Sequence, residues 1–163
     1  MASQFIHITL PDGTRKQVPA GCTVREALTP EGGRLDAKVL AAKINGEPRD
    51  LSCPLEQDAT IEPLTFESAE GREVYRHSST HIMAQAVKEV FPSAQLTIGP
   101  ALDDGFYYDF AFDRPFTPED LEKIEARAIE IAKRGLTVTR SELSKQDAIK
   151  FFQERGEAYK VEL

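Results

Sequence analysis

His77 and His81 are the residues best spaced for chemistry in this sequence. They stand four apart in VYRHSSTHIMAQAVKEVF, where Ile82, Met83, Ala86, Val87 and Val90 recur at helical spacing and Pro92 marks the end. The pattern predicts a long helix over 74–91 that presents both imidazoles on one face, one turn apart. Two such rings can converge on one water, one ligand or one metal ion. A zinc protease of the HExxH type needs Glu directly after the first His, and Ser78 stands there. Any other zinc site would require one or two further ligands, and no Cys is near in sequence. The plainer alternative is a pair of imidazoles packed or capped by their neighbours on a partly buried helix.

The remaining chemistry-bearing residues read as structural. His7 stands alone in a predicted strand. Asp103, Asp104, Asp109 and Asp113 form an acidic stretch, but their spacing does not match a calcium loop, and turn or surface roles explain them. Tyr107 and Tyr108 alternate, so one faces the core and the other outward. Cys22 and Cys53 are too few and too isolated for a disulfide framework or a CxxC zinc site, and are expected as free thiols. No GxxxxGK[ST] loop, GxGxxG fingerprint or GxSxG elbow occurs, so the residues offer no visible site for ATP-driven chemistry.

The elements that would position the His pair sit in a chain of 163 residues, 40% hydrophobic and 29% charged, long enough for one large or two small domains. No run reaches the roughly 18 apolar residues of a membrane helix, and MASQFIHITLPDG lacks a basic region followed by an apolar core, which leads to the expectation of a cytoplasmic protein. The net charge of −7 argues against nonspecific binding to a phosphate backbone. Through Phe66 there are 7 basic and 9 acidic residues, then 13 and 18, so neither half is a cationic tail.

FIHITL, the PDG turn and RKQVPAG predict an opening β-hairpin. Thr23 caps a short helix, TVREAL, with Glu26 completing a capping box, and Pro30 and Gly32-Gly33 stop it. Short strands follow around an Asn45-Gly46 turn, with another turn near Gln57-Asp58 and a last strand ATIEPL. The expected order β, β, α, β, β within about 65 residues is that of a β-grasp, ubiquitin-like module. The acidic FESAEGRE, without apolar periodicity, is the predicted linker, placing a boundary near 64–70 and two domains over 1–66 and 67–163.

Beyond the His helix, breaks at Gly99-Pro100 and Asp104-Gly105 precede a predicted aromatic strand through Phe106, Tyr107, Tyr108 and Phe110. Thr117 and Pro118 open a second helix with Leu121, Ile124, Ala128 and Ile131 on one face, closed at Gly135. LTVTRSEL reads as a strand, Ser144 caps a third helix ending at Gly156, and YKVEL reads as extended. The second half is therefore expected to be α+β with antiparallel strands.

Laid out in this order, the segments resemble the N-terminal region of bacterial threonyl-tRNA synthetases from about Ile6 onward. ITLPDG and TVREAL resemble the TGS domain, while RHSSTHIMAQAV, IGPALDDGFYYDF and RGEAYKVEL resemble successive signatures of the editing domain that follows it. TGS alone is weakly specific; the five segments together are highly specific. The resemblance implies an α+β protein, a β-grasp TGS domain followed by an editing-type domain with an HxxxH helix. It implies hydrolysis of serine from tRNA specific for threonine. A threonine pocket cannot strongly exclude the smaller serine, because one methyl group gives only about 1 to 3 kcal/mol of discrimination, so a second, hydrolytic site is used.

By the same resemblance, His77 and His81 would position or activate water, Tyr108 and Lys160 would line the pocket, and the Gly99 backbone would help recognise the terminal adenosine or aminoacyl group. Neutral imidazoles can orient water, and a Lys can stabilise a developing oxyanion. The alanyl counterpart uses a similar HxxxH with zinc, whereas the threonyl type is understood to work without a metal, so no cofactor is expected in this region. ATP, Mg and zinc would belong to a ligase domain outside it. The implied partners are tRNA for threonine, mischarged with serine, and the remainder of the synthetase chain, with no membrane and no DNA. Family members carry a further segment with an Asp and a Cys, in a context like MCRGPH, that completes the pocket, and this sequence ends at Leu163 before it. The expectation is a synthetase fragment with weak hydrolysis of its own. Two other readings remain open: a noncatalytic TGS-type module for RNA or protein contact, and a metal-binding domain built on the His pair.

Overall fold

A computed structural model describes residues 4–162. The chain divides into two compact units, one through Tyr75 and one from Arg76.

In the first unit, β1 (Phe5–Thr9) and β2 (Arg15–Pro19) form the expected antiparallel hairpin, with Ile6 facing Val18 and Ile8 facing Lys16. Alternation puts Ile6 and Ile8 inward. Helix α1 (Val24–Leu28) starts at the Thr23 capping box, whose hydroxyl accepts from the Glu26 N–H while the Glu26 carboxylate accepts from the Thr23 N–H. Its Val24 and Ala27 join Ile6, Ile8, Ala42, Leu51, Leu55 and Ile61 in one core. Strands β3 (Val39–Ile44), β4 (Glu47–Arg49) and β5 (Ala59–Thr65) complete a mixed sheet ordered β2-β1-β5-β3-β4, in which β1 and β5 run parallel. Asn45 (φ 52°) and Gly46 (φ 89°) make the β3–β4 turn, in the left-handed conformation those residue types tolerate best. This is the β-grasp arrangement, and the short strands expected around the Asn45-Gly46 turn are β3 and β4, which makes five strands where the expected order counts four.

Helix α2 (Ala69–Val90) begins five residues before the predicted start and takes in most of the supposed linker. Ser68 supplies the reason: its hydroxyl accepts from the Gly71 N–H at 3.1 Å and donates to the Thr65 carbonyl at 3.0 Å, so the first turn is capped without apolar periodicity.

The second unit has its core where Ala86 and Val87 of α2 meet Ala94 and, from α3 (Pro118–Lys133), Ile124 and Ile131. Phe91, Phe110, Phe112 and Phe116 pack around it, and the Arg114 guanidinium lies over the Phe91 and Phe112 rings. Thr117 caps α3 as expected, but Leu121 is exposed and Asp120 is buried in its place. The cause is the cap itself, since the Asp120 carboxylate turns inward to accept from the Thr117 N–H and from Arg114.

Three expected strands take other forms. Only Phe110–Ala111 of the aromatic segment is a strand, β7, paired with β6 (Gln95–Leu96), and Phe106 makes a single bridge to Ala101. Pro100 has no N–H to give to a longer ladder. LTVTRSEL is irregular, with Leu136, Val138 and Leu143 exposed, because no described strand lies alongside it to convert alternation into a ladder. After α4 (Lys145–Glu154), capped by Ser144, the expected extended tail is a short helix, α5 (Ala158–Glu162). The Lys160 and Val161 N–H groups donate to the Glu157 carbonyl, a local pattern that needs no neighbouring strand. Leu163 lies outside the described residues.

Candidate active site

Helix α2 places His77 and His81 as their spacing predicts. The two Nε2 atoms are 3.1 Å apart, with ring centroids 4.8 Å apart and planes at 76°. In such a contact one ring donates an N–H and the other offers its lone pair, so the pair shares one proton between the facing nitrogens. One turn of helix supports it: the buried Thr80 hydroxyl donates to the His77 carbonyl at 2.7 Å. Although His81 as a residue is exposed, packing around its ring lowers its pKa, and the neighbouring His77 and the Lys160 ammonium lower it further. A cleft of about 350 Å³ opens beside His81, lined by Ser78, Ile82, Gln85, Ile131, Leu136 and Val138 among others.

Lys160, assigned to the pocket by resemblance alone, projects from α5 and donates to the Thr97 carbonyl at 2.7 Å. Its charge is close enough to His81 to depress it. Tyr108 stacks on Phe110 at 4.7 Å between centroids and also lies against Gly99. A Cβ on Gly99 would lie 2.1 Å from the Tyr108 Cδ2, so only glycine lets the ring come this close. Burial raises the Tyr108 pKa, and the Glu157 carboxylate adds to the rise, which keeps the phenol a neutral hydrogen-bond donor. Tyr107 is turned outward and exposed.

Two groups that sequence reasoning passed over also act on these residues. The Arg76 guanidinium donates to the Leu102 carbonyl at 3.1 Å and to the Asp103 carbonyl, fastening the loop that leads to Tyr108 onto the helical turn of His77. The Glu157 carboxylate pairs with Lys88 at 2.8 Å. Arg76 directly precedes His77, and Glu157 stands in the RGEAYKVEL segment, but backbone carbonyl acceptors and a helical tail have no signature in residue types.

His7, Cys22 and Cys53 belong to the first unit. His7 takes a backbone role in β1, its N–H donating to Asp58 at 2.8 Å. Cys22 and Cys53 are free and pack against the first unit's core, with burial raising the Cys22 thiol. Among the described residues no group of three or more His, Cys, Asp or Glu side chains is arranged to hold a metal ion.

Comparison with known proteins shows what the chain is similar to. Residues 6–65 match the TGS domain. Nearly the whole chain matches proteins named threonine–tRNA ligase: 54% identity over 159 residues in Symbiobacterium thermophilum, 50% over 158 in Citrifermentans bemidjiense and 48% over 159 in Ralstonia nicotianae, covering 97–98% of this chain. The chain spans about a quarter of the length of these curated relatives. The chain therefore carries a TGS domain and, over nearly its whole length, matches the N-terminal region of threonyl-tRNA synthetase.

Proposed function

We propose that this chain is the proofreading and acceptor-end binding region of a threonine–tRNA ligase, and that its second unit hydrolyses serine from tRNA specific for threonine. The observation that carries the reading is the His77–His81 pair, with Nε2 atoms 3.1 Å apart and Lys160 near enough to lower the His81 pKa.

Ester hydrolysis needs a positioned water, a base for its proton and a counter-charge for the oxyanion. In the neutral pair the ring that donates the facing N–H keeps a free lone pair on its Nδ1, which takes the water's proton, while the accepting ring fixes its orientation. The depressed His81 pKa keeps that base free near neutrality. The Lys160 ammonium, oriented by the Thr97 carbonyl, stabilises the negative charge developing on the carbonyl oxygen. The ring of Tyr108, seated on Gly99, forms a wall with a neutral phenol that hydrogen-bonds the sugar or aminoacyl group. The partners in this reading are tRNA for threonine and the rest of the ligase; ligation itself, with its ATP, Mg and zinc, belongs to other parts of that enzyme.

Binding of a nonhydrolysable seryl-adenosine analogue, its ester replaced by an amide, tests the site directly. NMR titration is expected to shift the His81, Tyr108 and Lys160 resonances together. Shifts confined to the first unit, or none at millimolar analogue, would contradict the assignment.

A further inference from the structure

The Lys160 ammonium can act only where α5 holds it, and α5 is a five-residue helix with no buried side chain. Apolar packing therefore does little to fix it, and polar ties must serve instead. Glu157, immediately before the helix, supplies them. Its carbonyl accepts the Lys160 N–H at 3.1 Å and the Val161 N–H at 3.3 Å, which sets the first turn. Its carboxylate Oε1 pairs at 2.8 Å with Lys88 Nζ on α2, and the same ammonium donates to the Ala94 carbonyl at 3.0 Å. One residue thus joins the start of α5 to the helix that carries the His pair.

The Glu157 side chain is only 12% exposed, and its Oε2 is buried with no hydrogen-bond partner among the described residues. A carboxylate so placed loses much of its hydration and is held by one cation, so removing either partner leaves a buried charge. The Lys88 side chain is 31% exposed, so the pair is sheltered rather than a solvated surface contact.

We propose that Glu157, through Lys88, is a positioning residue for Lys160: the pair clamps α5 to α2 so that the Lys160 ammonium stays on the Thr97 carbonyl. This inference rests on the proofreading reading for the reaction that Lys160 serves. It adds a function for two residues outside the HxxxH helix face, and it separates placing the ammonium from supplying it.

The test uses the full-length ligase and two readouts. In hydrolysis of seryl-tRNA for threonine, Glu157→Gln is expected to lower kcat about tenfold with KM within about twofold, because a displaced ammonium weakens the transition state more than binding. Combined with Lys160→Met it adds no further loss, since both changes remove the same placed charge. Lys88→Met breaks the clamp from the other side, is expected to behave alike, and stands in should Glu157→Gln not fold. The second readout needs no editing activity: acylation of Lys160 by a soluble reagent, followed by mass spectrometry, is expected to speed severalfold in both clamp variants. Unchanged Lys160 labelling, or losses that multiply in the double variant, overturns the proposal. A wild-type enzyme that releases no serine contradicts the proofreading reading instead, and the labelling still decides whether Glu157 places Lys160.

Discussion

His81 Nε2 lies 3.1 Å from His77 Nε2, and this contact fixes how the pair takes up protons. A first proton can bridge the two nitrogens, whereas a second turns both rings into donors and breaks the contact. The His81 pKa lies below the ordinary imidazole value, first because of burial, then His77 and Lys160. Hydrolysis is therefore expected to persist down to the ordinary histidine range and to fall about tenfold per pH unit below the depressed value. Stability carries the same sign. A folded-state pKa below the unfolded one means that the unfolded chain binds more protons in that window, so folding weakens as the pH drops through it. A rate that falls already above the ordinary histidine range would contradict the account.

Gly99 and Tyr108 make a second prediction. With Gly99→Ala, a methyl group would occupy the volume of the Tyr108 ring, 2.1 Å from Cδ2, and a stacked aromatic cannot yield the space without leaving Phe110. Hydrolysis is expected to fall about tenfold, as for a displaced pocket wall. The ring-current shifts of Phe110 should change while the circular dichroism of the chain does not. An unmoved Phe110 spectrum would show that the ring has another place to go.

The Arg114–Asp120 contact predicts acid sensitivity in the second unit. Asp120 accepts from Arg114 and from the Thr117 N–H, and these bonds hold its carboxyl well below the usual carboxylate range. Stability from this group is complete above the ordinary Asp value and is lost as the pH falls through the folded one. Asp120→Asn should lower the thermal midpoint at pH 7 and flatten its acid dependence; equal midpoints at pH 7 would mean that the contact contributes nothing.

Ile8 offers a test in the first unit. It is fully buried in β1, the strand between β2 and β5, and Ile8→Ala removes three heavy atoms from a closed core. Urea unfolding is expected to show a loss of about 2–5 kcal/mol. A loss under about 0.5 kcal/mol would indicate that Ile8 is not packed as described.

What residue types and spacing could show differs between the units. The hairpin, the Thr23 capping box and the Asn45-Gly46 turn are local devices, written in two to four adjacent residues, and they appear where the sequence places them. The His pair was legible for the same reason, because i and i+4 on a helix must be neighbours. The segments Leu136–Leu143 and Ala158–Glu162 misled because strand alternation has meaning only beside another strand, and none of the described strands lies there. The start of α2 was hidden because Ser68 caps it with a hydroxyl, not an apolar face. Lys160 lies 79 residues from His81, so no spacing rule links them; the fold draws the ammonium near by way of Thr97.

The measurement that bears most directly on the proofreading claim compares release of serine and of threonine from tRNA specific for threonine, by the full-length ligase and by its His77→Ala and His81→Ala variants. Serine release at least about tenfold faster than threonine release, lowered at least about tenfold by either substitution, is the expected result. Serine release that is equally fast in the wild type and both variants would contradict the central role given to the His77–His81 pair.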